Sequence, residues 1–142
     1  CGCIVMHPGD PDDLNGAGGD ILERVRAFFE KKMTEAEQHG VNKTRLCFDP
    51  GIGFGKTNEE NFALIANPEK IRVPGTALLM AASRKRVIGA VCGNPPFEDR
   101  MAGTVAAHTA SVLFGADMVR AHDTFEAVQA ARVADAIKQF RK

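Results

Sequence analysis

Short apolar runs and helical patterns alternate along this chain in a repeating order. The apolar runs comprise residues 3–7, 46–48, 76–81 and 116–121, and polar or glycine-rich residues follow each of them. A short apolar run bounded by turn residues is typical of a buried strand. The units recur at roughly 35 residues, close to the size of a βαβ building block. The pattern therefore predicts four consecutive β-α units.

The segment between the first two runs predicts a loop and then a regular helix. Residues 8–19 are rich in Gly, Pro and Asp, which is typical of a loop. Asp20 is expected to cap the helix 20–39 with the help of Glu23, and Gly40 is expected to end it. The apolar residues that recur at helical spacing are Ile21, Leu22, Val25, Phe28, Phe29, Met33 and Ala36.

Four more helices are predicted, over residues 59–66, 84–92, 98–114 and 124–141. Asn58 is expected to cap the first of these helices and Pro68 to stop it. The third is rich in alanine, which indicates either close packing on the sheet or a helix–helix contact between two subunits. The last helix carries an apolar stripe that consists of Phe125, Val128, Ala131, Ala134 and Ile137.

The polar chemistry of every unit lies after the strand, where a (β/α)₈ barrel carries its active site. The chain therefore predicts an α/β fold of the (β/α)₈ TIM barrel type. Such a barrel typically needs about 250 residues, and this chain has 142. We expect it to supply the second half of a barrel, with two open sheet edges and an exposed inner face. The isolated segment is expected to be inactive.

Charge and cysteine content narrow the class of protein. The 18 basic and 18 acidic residues balance, so no global field favours a nucleic acid or a membrane as partner. No apolar stretch reaches the length of a transmembrane helix. The cysteines lack C-x-x-C spacing, which indicates reduced or buried thiols in a cytoplasmic protein rather than a metal site. They are Cys1, Cys3, Cys47 and Cys92.

Residues 49–57, Asp-Pro-Gly-Ile-Gly-Phe-Gly-Lys-Thr, are the most informative segment. Asp49 stands at the end of an apolar run, and a turn with three glycines follows. Glycine permits backbone conformations and close approaches that a side chain would block. A carboxylate in this place can accept two N–H groups, such as the amidine-like edge of a pterin or guanine. The alternative is that Asp49 caps its own loop.

Two further strand ends carry cationic residues. Residues 83–86, Ser-Arg-Lys-Arg, follow the third run and indicate a site for an anion or a polar ring, the alternative being a solvated basic turn. Arg120 and His122 stand two positions apart at the end of the fourth run, so both side chains point the same way. Such a pair suits phosphate. The alternative is that both residues brace the last helix through a cap at Asp123.

The other histidines and the apolar residues near the strand ends are less informative. His7 ends the first strand and can face the site, without a defined role. His39 and His108 lie on helices and are expected at the surface or in packing contacts. Met6 and Phe54 are placed to lie against a flat ring or, alternatively, to fill the core and hold a loop.

Four motifs together resemble dihydropteroate synthase, in the order and spacing of that family's second half. They are Asp-Pro-Gly-Ile-Gly-Phe-Gly-Lys at 49–56, Ser-Arg-Lys at 83–85, Glu-Asp-Arg-Met-Ala-Gly-Thr at 98–104 and Arg-Ala-His-Asp at 120–123. Met6-His7 is similar to the Met-His strand end of the family. The resemblance covers the whole chain and implies a pterin-binding domain over residues 1–142.

The resemblance also implies an activity in folate biosynthesis. An enzyme of this family joins 6-hydroxymethyl-7,8-dihydropterin pyrophosphate to p-aminobenzoate, forming 7,8-dihydropteroate and pyrophosphate with Mg²⁺. It further implies a cytoplasmic homodimer and a sulfonamide target. The Mg²⁺ ligand is expected mainly from the first half of the barrel, with no metal ligand in this segment.

By carry-over from the resemblance, the catalytic residues are Asp49 and Lys85. Asp49 is implied to bind the pterin and to stabilise positive charge on it. Lys85 is implied to hydrogen-bond the pterin and to flank the p-aminobenzoate site. Arg120 is implied to stack on the pterin and, with His122, to hold the pyrophosphate.

The remaining substrate-binding residues implied are Met6 against the pterin, Phe54 near the p-aminobenzoate ring, Ser83 and Arg86. The family often has serine where this chain has Arg86. The guanidinium is expected either to pair with the p-aminobenzoate carboxylate or to point to solvent. The loop that begins Pro-Gly-Asp-Pro at 8–11 also departs from the family pattern.

Two other functions fit parts of the sequence. A pterin-binding barrel of a methyltransferase shares the fold and the pterin recognition, although the Ser-Arg-Lys segment and the long glycine-rich loop argue against it. A non-catalytic pterin-binding module is consistent with half a barrel. Formation of pteroate distinguishes the first function from these two.

Overall fold

The computed structural model of the chain describes residues 1–9 and 19–140. Its strands are β1 (Cys3–Met6), β2 (Leu46–Asp49), β3 (Ala77–Met80) and β4 (Met118–Val119). Its α-helices are α1 (Ile21–Gln38), α2 (Asn58–Ala66), α3 (Pro68–Ile71), α4 (Arg86–Val91), α5 (Met101–Leu113) and α6 (Thr124–Lys138). Short 3₁₀ turns at Lys43–Arg45 and Phe97–Arg100 precede β2 and α5. Most of the predicted loop 8–19 lies outside the described residues.

The four strands form one parallel sheet in the order β1-β2-β3-β4, so each strand pairs with the next one along the chain. The register places Met6 beside Asp49, Phe48 beside Leu78, and Met80 beside Val119. This order confirms the predicted series of β-α units. Because all strands run the same way, the residues that follow them gather at one edge of the sheet.

The helices cover one face of the sheet and form the main core. Phe48 of β2 stacks on Phe29 of α1, with ring centres 4.6 Å apart and planes within 18°. Leu78 and Met80 of β3 are fully buried in the same cluster. Val25 completes the contact from α1. Burying such side chains contributes roughly 1.5–3 kcal/mol each, so this contact fixes the sheet against α1.

The opposite face, which the sequence predicts to be exposed, is exposed only at the edge strands. Ile4 of β1 is 56% exposed and Met118 of β4 is 42% exposed. The central residues Cys47 and Leu79 are 7% and 5% exposed. They pack with Ala81 into a small second cluster. The prediction is therefore right for β1 and β4 and wrong for β2 and β3, whose inward side chains cover one another.

The boundaries of α1 follow the prediction, whereas those of α2 do not. Asp20 caps α1 by accepting the N–H of Leu22, and Gly40 follows its end with φ +78°. Thr57, rather than Asn58, caps α2, because its hydroxyl and the Glu60 carboxylate form a reciprocal capping box.

Pro68, which is expected to end the helix over 59–66, begins a second short helix instead. It occupies the first position of α3, where its missing N–H has no intrahelical partner to lose. Asn67 lies between α2 and α3 and donates its side-chain amide to the carbonyl of Ala63. The helical path therefore turns at Asn67 and resumes at once.

The last two helices pack against each other, and the predicted apolar stripe of α6 is only partly right. Ala130 and Ala134 are buried. Phe125, Val128 and Ile137 are 71%, 45% and 48% exposed. The small alanines lie on the buried side of α6, which packs against α5, and the larger residues of the stripe lie on the outer side. The helix predicted over 98–114 begins as a 3₁₀ turn and continues as α5.

No helix in the described ranges combines the length and the apolar composition that crossing a lipid bilayer requires. All four cysteines are free thiols. Cys47 is buried, and burial raises its pKa to about 11, so it remains protonated at neutral pH. Cys1, Cys3 and Cys92 are exposed.

Candidate active site

The glycine-rich loop that follows β2 lies in close contact with the end of β1. Gly51, Gly53 and Gly55 have φ values of +70°, +81° and +56°, which favour glycine. A Cβ at Gly51 would lie 2.1 Å from the carbonyl oxygen of His7, so a side chain is excluded there by contact as well. Residues 50–55 therefore form a bare loop at the carboxyl edge of the sheet.

Asp49 caps its own loop through one carboxylate oxygen, which is one of the two arrangements that the sequence left open. Its side chain is 1% exposed, and Oδ1 accepts the backbone N–H of Gly51 at 2.8 Å. Its Oδ2 lies 3.6 Å from Nη2 of Arg120, whose side chain is largely exposed. One carboxylate oxygen thus caps the loop, while the other faces the strand ends of β3 and β4.

Lys85 lies in the loop between β3 and α4 and contacts the glycine-rich loop. Its ammonium donates to the carbonyl of Ile52 and lies 4.5 Å from the centre of the Phe54 ring. Burial lowers the pKa of Lys85, and Arg120 lowers it further, whereas the charge of Asp49 acts in the opposite direction. The result is a half-buried cation held on an exposed aromatic ring.

Arg84, one of the three cations in the predicted anion or polar-ring site at residues 83–86, is engaged in an ion pair within the chain. Its guanidinium makes a two-pronged ion pair with Asp123 and lies 5.2 Å from the Phe97 ring. Its φ is +54°, and its backbone N–H donates to the hydroxyl of Thr104 at 2.9 Å. Arg84 therefore fixes the loop that presents Lys85.

Arg120 and His122 follow β4 and line one cavity, as the spacing predicts. Nδ1 of His122 lies 2.9 Å from the Ser83 hydroxyl, which also accepts the backbone N–H of His122 at 3.1 Å. The alternative of a brace through Asp123 is wrong, because Asp123 makes no side-chain cap on α6 and pairs with Arg84 instead.

Two cavities meet at Lys85. The smaller one has a volume of about 360 Å³ and includes Arg120. The larger one has a volume of about 640 Å³ and includes Phe54 and Arg86. Three side chains line both cavities, and they are Ser83, Lys85 and His122. Lys85 can therefore contact a ligand in either space.

The predicted site residues differ in whether their side chains line the two cavities. Arg86 is exposed at the first position of α4 and lines the larger cavity. Met6 is half-buried at the end of β1 and pairs with Asp49, but it lines neither cavity. The structure brings Asp49, Lys85 and Arg120 together at three neighbouring strand ends.

Sequence reasoning missed three residues that support the site. Asn61 is 2% exposed and bonds to the glycine-rich loop, as does Lys56. His108 is 2% exposed and accepts the N–H of Ala82 just before the Ser-Arg-Lys segment. For Asn61 and His108 the available signal was a polar residue at a core-facing helical position, which needs a buried partner.

Within residues 1–9 and 19–140, no group of three or more His, Cys, Asp or Glu side chains is placed to hold a metal ion. Cationic side chains that line the two cavities include those of Lys85, Arg86 and Arg120.

Comparison with known proteins places these features in a family. The model of the pterin binding enzyme family matches residues 1–122. Dihydropteroate synthase of Synechocystis sp. is 36% identical over 137 residues, which are 94% of this chain and 47% of the relative. The chain spans about half the length of several curated relatives of that name.

Solved structures show the same relationship. Xanthomonas albilineans dihydropteroate synthase with 4-aminobenzoic acid superposes with a TM-score of 0.84 and 34% identity, over 95% of this chain and 50% of that one. The same enzyme in complex with 7,8-dihydropteroate gives a TM-score of 0.85 and 35% identity, over 95% and 51%. These matches confirm the barrel fold and the resemblance to dihydropteroate synthase. The chain belongs to the pterin binding enzyme family.

Proposed function

We propose that this chain supplies the catalytic strand ends of a dihydropteroate synthase. The observation that carries the proposal is the convergence of Asp49, Lys85 and Arg120, with Asp49 and Arg120 3.6 Å apart and Lys85 between two cavities. A buried carboxylate beside two cations suits a substrate that has a ring with several hydrogen-bond donors at one end and pyrophosphate at the other.

The relatives support this assignment of substrates. The Xanthomonas albilineans enzyme is solved with 4-aminobenzoic acid and with 7,8-dihydropteroate. We propose the corresponding substrates for this chain, 6-hydroxymethyl-7,8-dihydropterin pyrophosphate and p-aminobenzoate. The pterin and its pyrophosphate occupy the Asp49 and Arg120 side of Lys85, and p-aminobenzoate occupies the Phe54 side.

The proposed reaction is a displacement at the methylene carbon of the pterin. The amine nitrogen of p-aminobenzoate forms a bond to that carbon, the C–O bond to pyrophosphate breaks, and its electron pair leaves with the pyrophosphate. The amine loses a proton to solvent. Asp49 stabilises positive charge on the pterin, while Arg120, His122 and Lys85 stabilise negative charge on the leaving group.

Arg86 is proposed to hold the carboxylate of p-aminobenzoate. It is exposed on the wall of the larger cavity, on the same side of Lys85 as Phe54. A guanidinium can bind a carboxylate through two parallel hydrogen bonds, which a serine hydroxyl cannot do. Ser83 is proposed to act indirectly, because its hydroxyl forms a hydrogen bond with Nδ1 of His122 and so orients that imidazole.

We also propose that Mg²⁺ accompanies the pyrophosphate and that its protein ligands lie outside the described residues. Mg²⁺ when bound would neutralise part of the pyrophosphate charge. Within the described residues no group of three or more His, Cys, Asp or Glu side chains is placed to hold a metal ion, and the charge stabilisation proposed for this chain is assigned to its cationic side chains. A cytoplasmic setting is proposed from the four free thiols.

A homodimer is the proposed assembly of the complete enzyme. A groove between α5 and α6 is lined by Met101, Val105 and Val133, and Met101 and Val133 are 37% and 57% exposed. Apolar residues in such a continuous groove favour burial against a second subunit. Neither a nucleic acid nor a membrane is a proposed partner, because the charge is balanced.

The test uses a chimeric barrel, in which this chain replaces the segment that it matches in the Synechocystis dihydropteroate synthase. We expect the purified chimeric barrel to form 7,8-dihydropteroate from the two substrates. Lys85→Ala should lower turnover by about a hundredfold or more, because a desolvated cation at the reacting groups contributes a few kcal/mol. Lys31→Ala, at an exposed position of α1, is the matched control.

The other outcomes separate the alternative functions. A folded chimeric barrel that binds the pterin pyrophosphate but neither binds p-aminobenzoate nor makes pteroate would favour a methyltransferase-type barrel. Binding of both compounds without turnover would favour a non-catalytic module. Near wild-type turnover of Lys85→Ala would remove Lys85 from the proposed mechanism.

A further inference from the structure

The glycine-rich loop is held in place by two side chains that have no role in the proposed chemistry. The first is Lys56, which ends the loop and turns back over it. Its ammonium donates to the carbonyls of Phe54 at 3.0 Å and Gly51 at 3.2 Å. A third contact reaches the carbonyl of His7 at 3.5 Å. An ammonium group has three N–H donors, so one lysine ties this loop to the end of β1.

The second side chain is Asn61, one turn into α2 and almost fully buried. Its Oδ1 accepts the N–H of Gly53 at 2.7 Å. Its Nδ2 donates to the carbonyl of Thr57 at 2.7 Å and approaches that of Lys56 at 3.4 Å. The amide therefore bonds in both directions, to the middle of the loop and to the beginning of α2.

These contacts account for most of the loop's polar backbone. Asp49 accepts the N–H of Gly51, Asn61 accepts that of Gly53, and Gly51 accepts that of Phe54. A loop whose three glycines all have positive φ has little intrinsic preference for one conformation. Its shape therefore depends on the side chains that bond to it, and these are Asp49, Lys56 and Asn61.

The loop in turn sets the position of Lys85. The two groups that contact the Lys85 ammonium are the Ile52 carbonyl and the Phe54 ring, and both belong to this loop. Ile52 lies between the residues bonded to Lys56 and Asn61, and it is fully buried. A shift of the loop would therefore displace both contacts of Lys85 at once.

We propose that Lys56 and Asn61 are positioning residues, which fix the glycine-rich loop so that Phe54 and Lys85 form the p-aminobenzoate side of the site. This inference rests on the proposed function for its substrate, but the loop-fixing role is independent of turnover. Lys56 acts from the solvent side of the loop and Asn61 from the core side, so neither replaces the other.

The test compares Lys56→Met and Asn61→Leu in the chimeric barrel with Lys70→Met, an exposed lysine of α3, as the control. Lys56→Met keeps the approximate side-chain volume, Asn61→Leu keeps the branched shape with the same number of heavy atoms, and both variants remove the loop contacts. Amide hydrogen exchange over residues 50–55 is measured by mass spectrometry, together with the melting temperature. Steady-state kinetics give kcat and KM for each substrate.

We expect exchange over residues 50–55 to rise by tenfold or so in both variants and to stay unchanged in Lys70→Met. The value of kcat/KM for p-aminobenzoate should fall by about tenfold, since bonds that involve a charged group are among the stronger ones. KM for the pterin pyrophosphate, which Asp49 binds from the strand, should change by less than about twofold. Lys56→Arg should recover part of the loss.

Two results would overturn the inference. One is unchanged exchange in the loop of Lys56→Met or Asn61→Leu. The other is an equal loss for both substrates that follows the fall in melting temperature, because a purely structural role predicts that pattern. If the chimeric barrel makes no pteroate at all, the proposed function fails, while the exchange measurement still decides whether Lys56 and Asn61 fix the loop.

Discussion

At the scale of single residues, His108 shows how a buried side chain depends on one protonation state. Its Nε2 accepts the N–H of Ala82, which requires that this nitrogen carry no proton. Its Nδ1 is buried without a hydrogen-bond partner in the described part of the chain. Burial lowers the pKa of His108 to about 4. The folded chain therefore holds this imidazole neutral.

The first residue-scale prediction is a loss of stability in mild acid. The folded pKa of about 4 lies below the unfolded value of about 6.5, so the unfolded state binds the extra proton. The contribution of His108 is present above pH 6.5 and is lost as the pH falls toward 4. Between pH 7 and pH 5 we expect the free energy of unfolding to fall by roughly 2 kcal/mol from this group.

Urea unfolding of the chimeric barrel at several pH values measures this slope. His108→Gln should remove most of it, because glutamine can still accept the Ala82 N–H and does not titrate in this range. His39→Gln, at an exposed position, is the control and should keep the slope. An unchanged slope in His108→Gln would assign the acid sensitivity to other groups.

The second residue-scale prediction concerns Asp49. Asp49→Asn should weaken binding of the pterin pyrophosphate more than binding of p-aminobenzoate. The amide oxygen can keep the bond to the Gly51 N–H, but the amide nitrogen then faces Arg120 and can no longer accept a donor from the pterin. Calorimetry with each substrate measures the difference, and equal losses would argue against Asp49 as the pterin ligand.

Asp49, Lys85 and Arg120 could be predicted from sequence because each stands at the end of an apolar run or within a few residues after it. Their place in a parallel sheet then follows from the order of the strands alone. Asn61 and His108 could not be predicted in this way. Their partners, Gly53 and Ala82, are backbone groups whose direction depends on how a loop and a helix pack, and no spacing rule encodes that.

At the scale of elements, the ion pair of Arg84 with Asp123 joins the loop before α4 to the loop before α6. Arg100 adds a bond from its guanidinium to the carbonyl of Arg84 at 3.2 Å. The guanidinium of Arg84 lowers the pKa of Asp123, so the pair persists at neutral pH and is lost as the pH falls through that lowered value. The pair holds the Lys85 and His122 segments in one relative position.

The element-scale prediction is that this coupling is not additive. Asp123→Asn should lower the rate of pteroate formation by roughly fivefold, and Arg84→Met in the same background should add little, since both changes remove one interaction. The matched control is Asp117→Asn, which breaks the pair between Asp117 and Arg72 away from the site. Independent, multiplying losses from Arg84 and Asp123 would contradict the coupling.

The element boundaries were predictable where a local residue decides them, as Asp20 and Gly40 do for α1. They were not predictable where two signals compete. Thr57 and Asn58 are both good caps, and only the reciprocal bond with Glu60 selects Thr57. In α6 the apolar spacing marks one stripe, but the buried side of the helix carries Ala130 and Ala134 and leaves Phe125 outside.

At the scale of the whole molecule, the described sheet ends at β1 on one side and at β4 on the other. Both edge strands present exposed apolar side chains, Ile4 and Met118. Unpaired strand edges of this kind pair readily with other chains. Central strands, by contrast, bury both of their faces. The sheet therefore has two buried central strands and two edge strands that can pair with other chains.

The whole-molecule prediction is that the 142-residue chain by itself self-associates or is insoluble. Four strands cannot close a barrel, so the edges find partners in other copies. Size-exclusion chromatography with light scattering measures the mass, and the chimeric barrel, which supplies further strands, is the comparison. A monodisperse monomer of the chain with a cooperative melt would contradict this prediction.

The position of Lys85 on the wall between the two cavities has a consequence for how ligands in the two cavities influence each other. A ligand that draws the ammonium toward Arg120 takes it away from the Phe54 ring, and so changes what the other space offers. Thermodynamic reciprocity then requires that each ligand alter the affinity of the other by the same factor. Displacement of Lys85 would thus couple ligand binding in the two cavities. The cooperativity would be positive if the displacement favours the second ligand and negative if it opposes it.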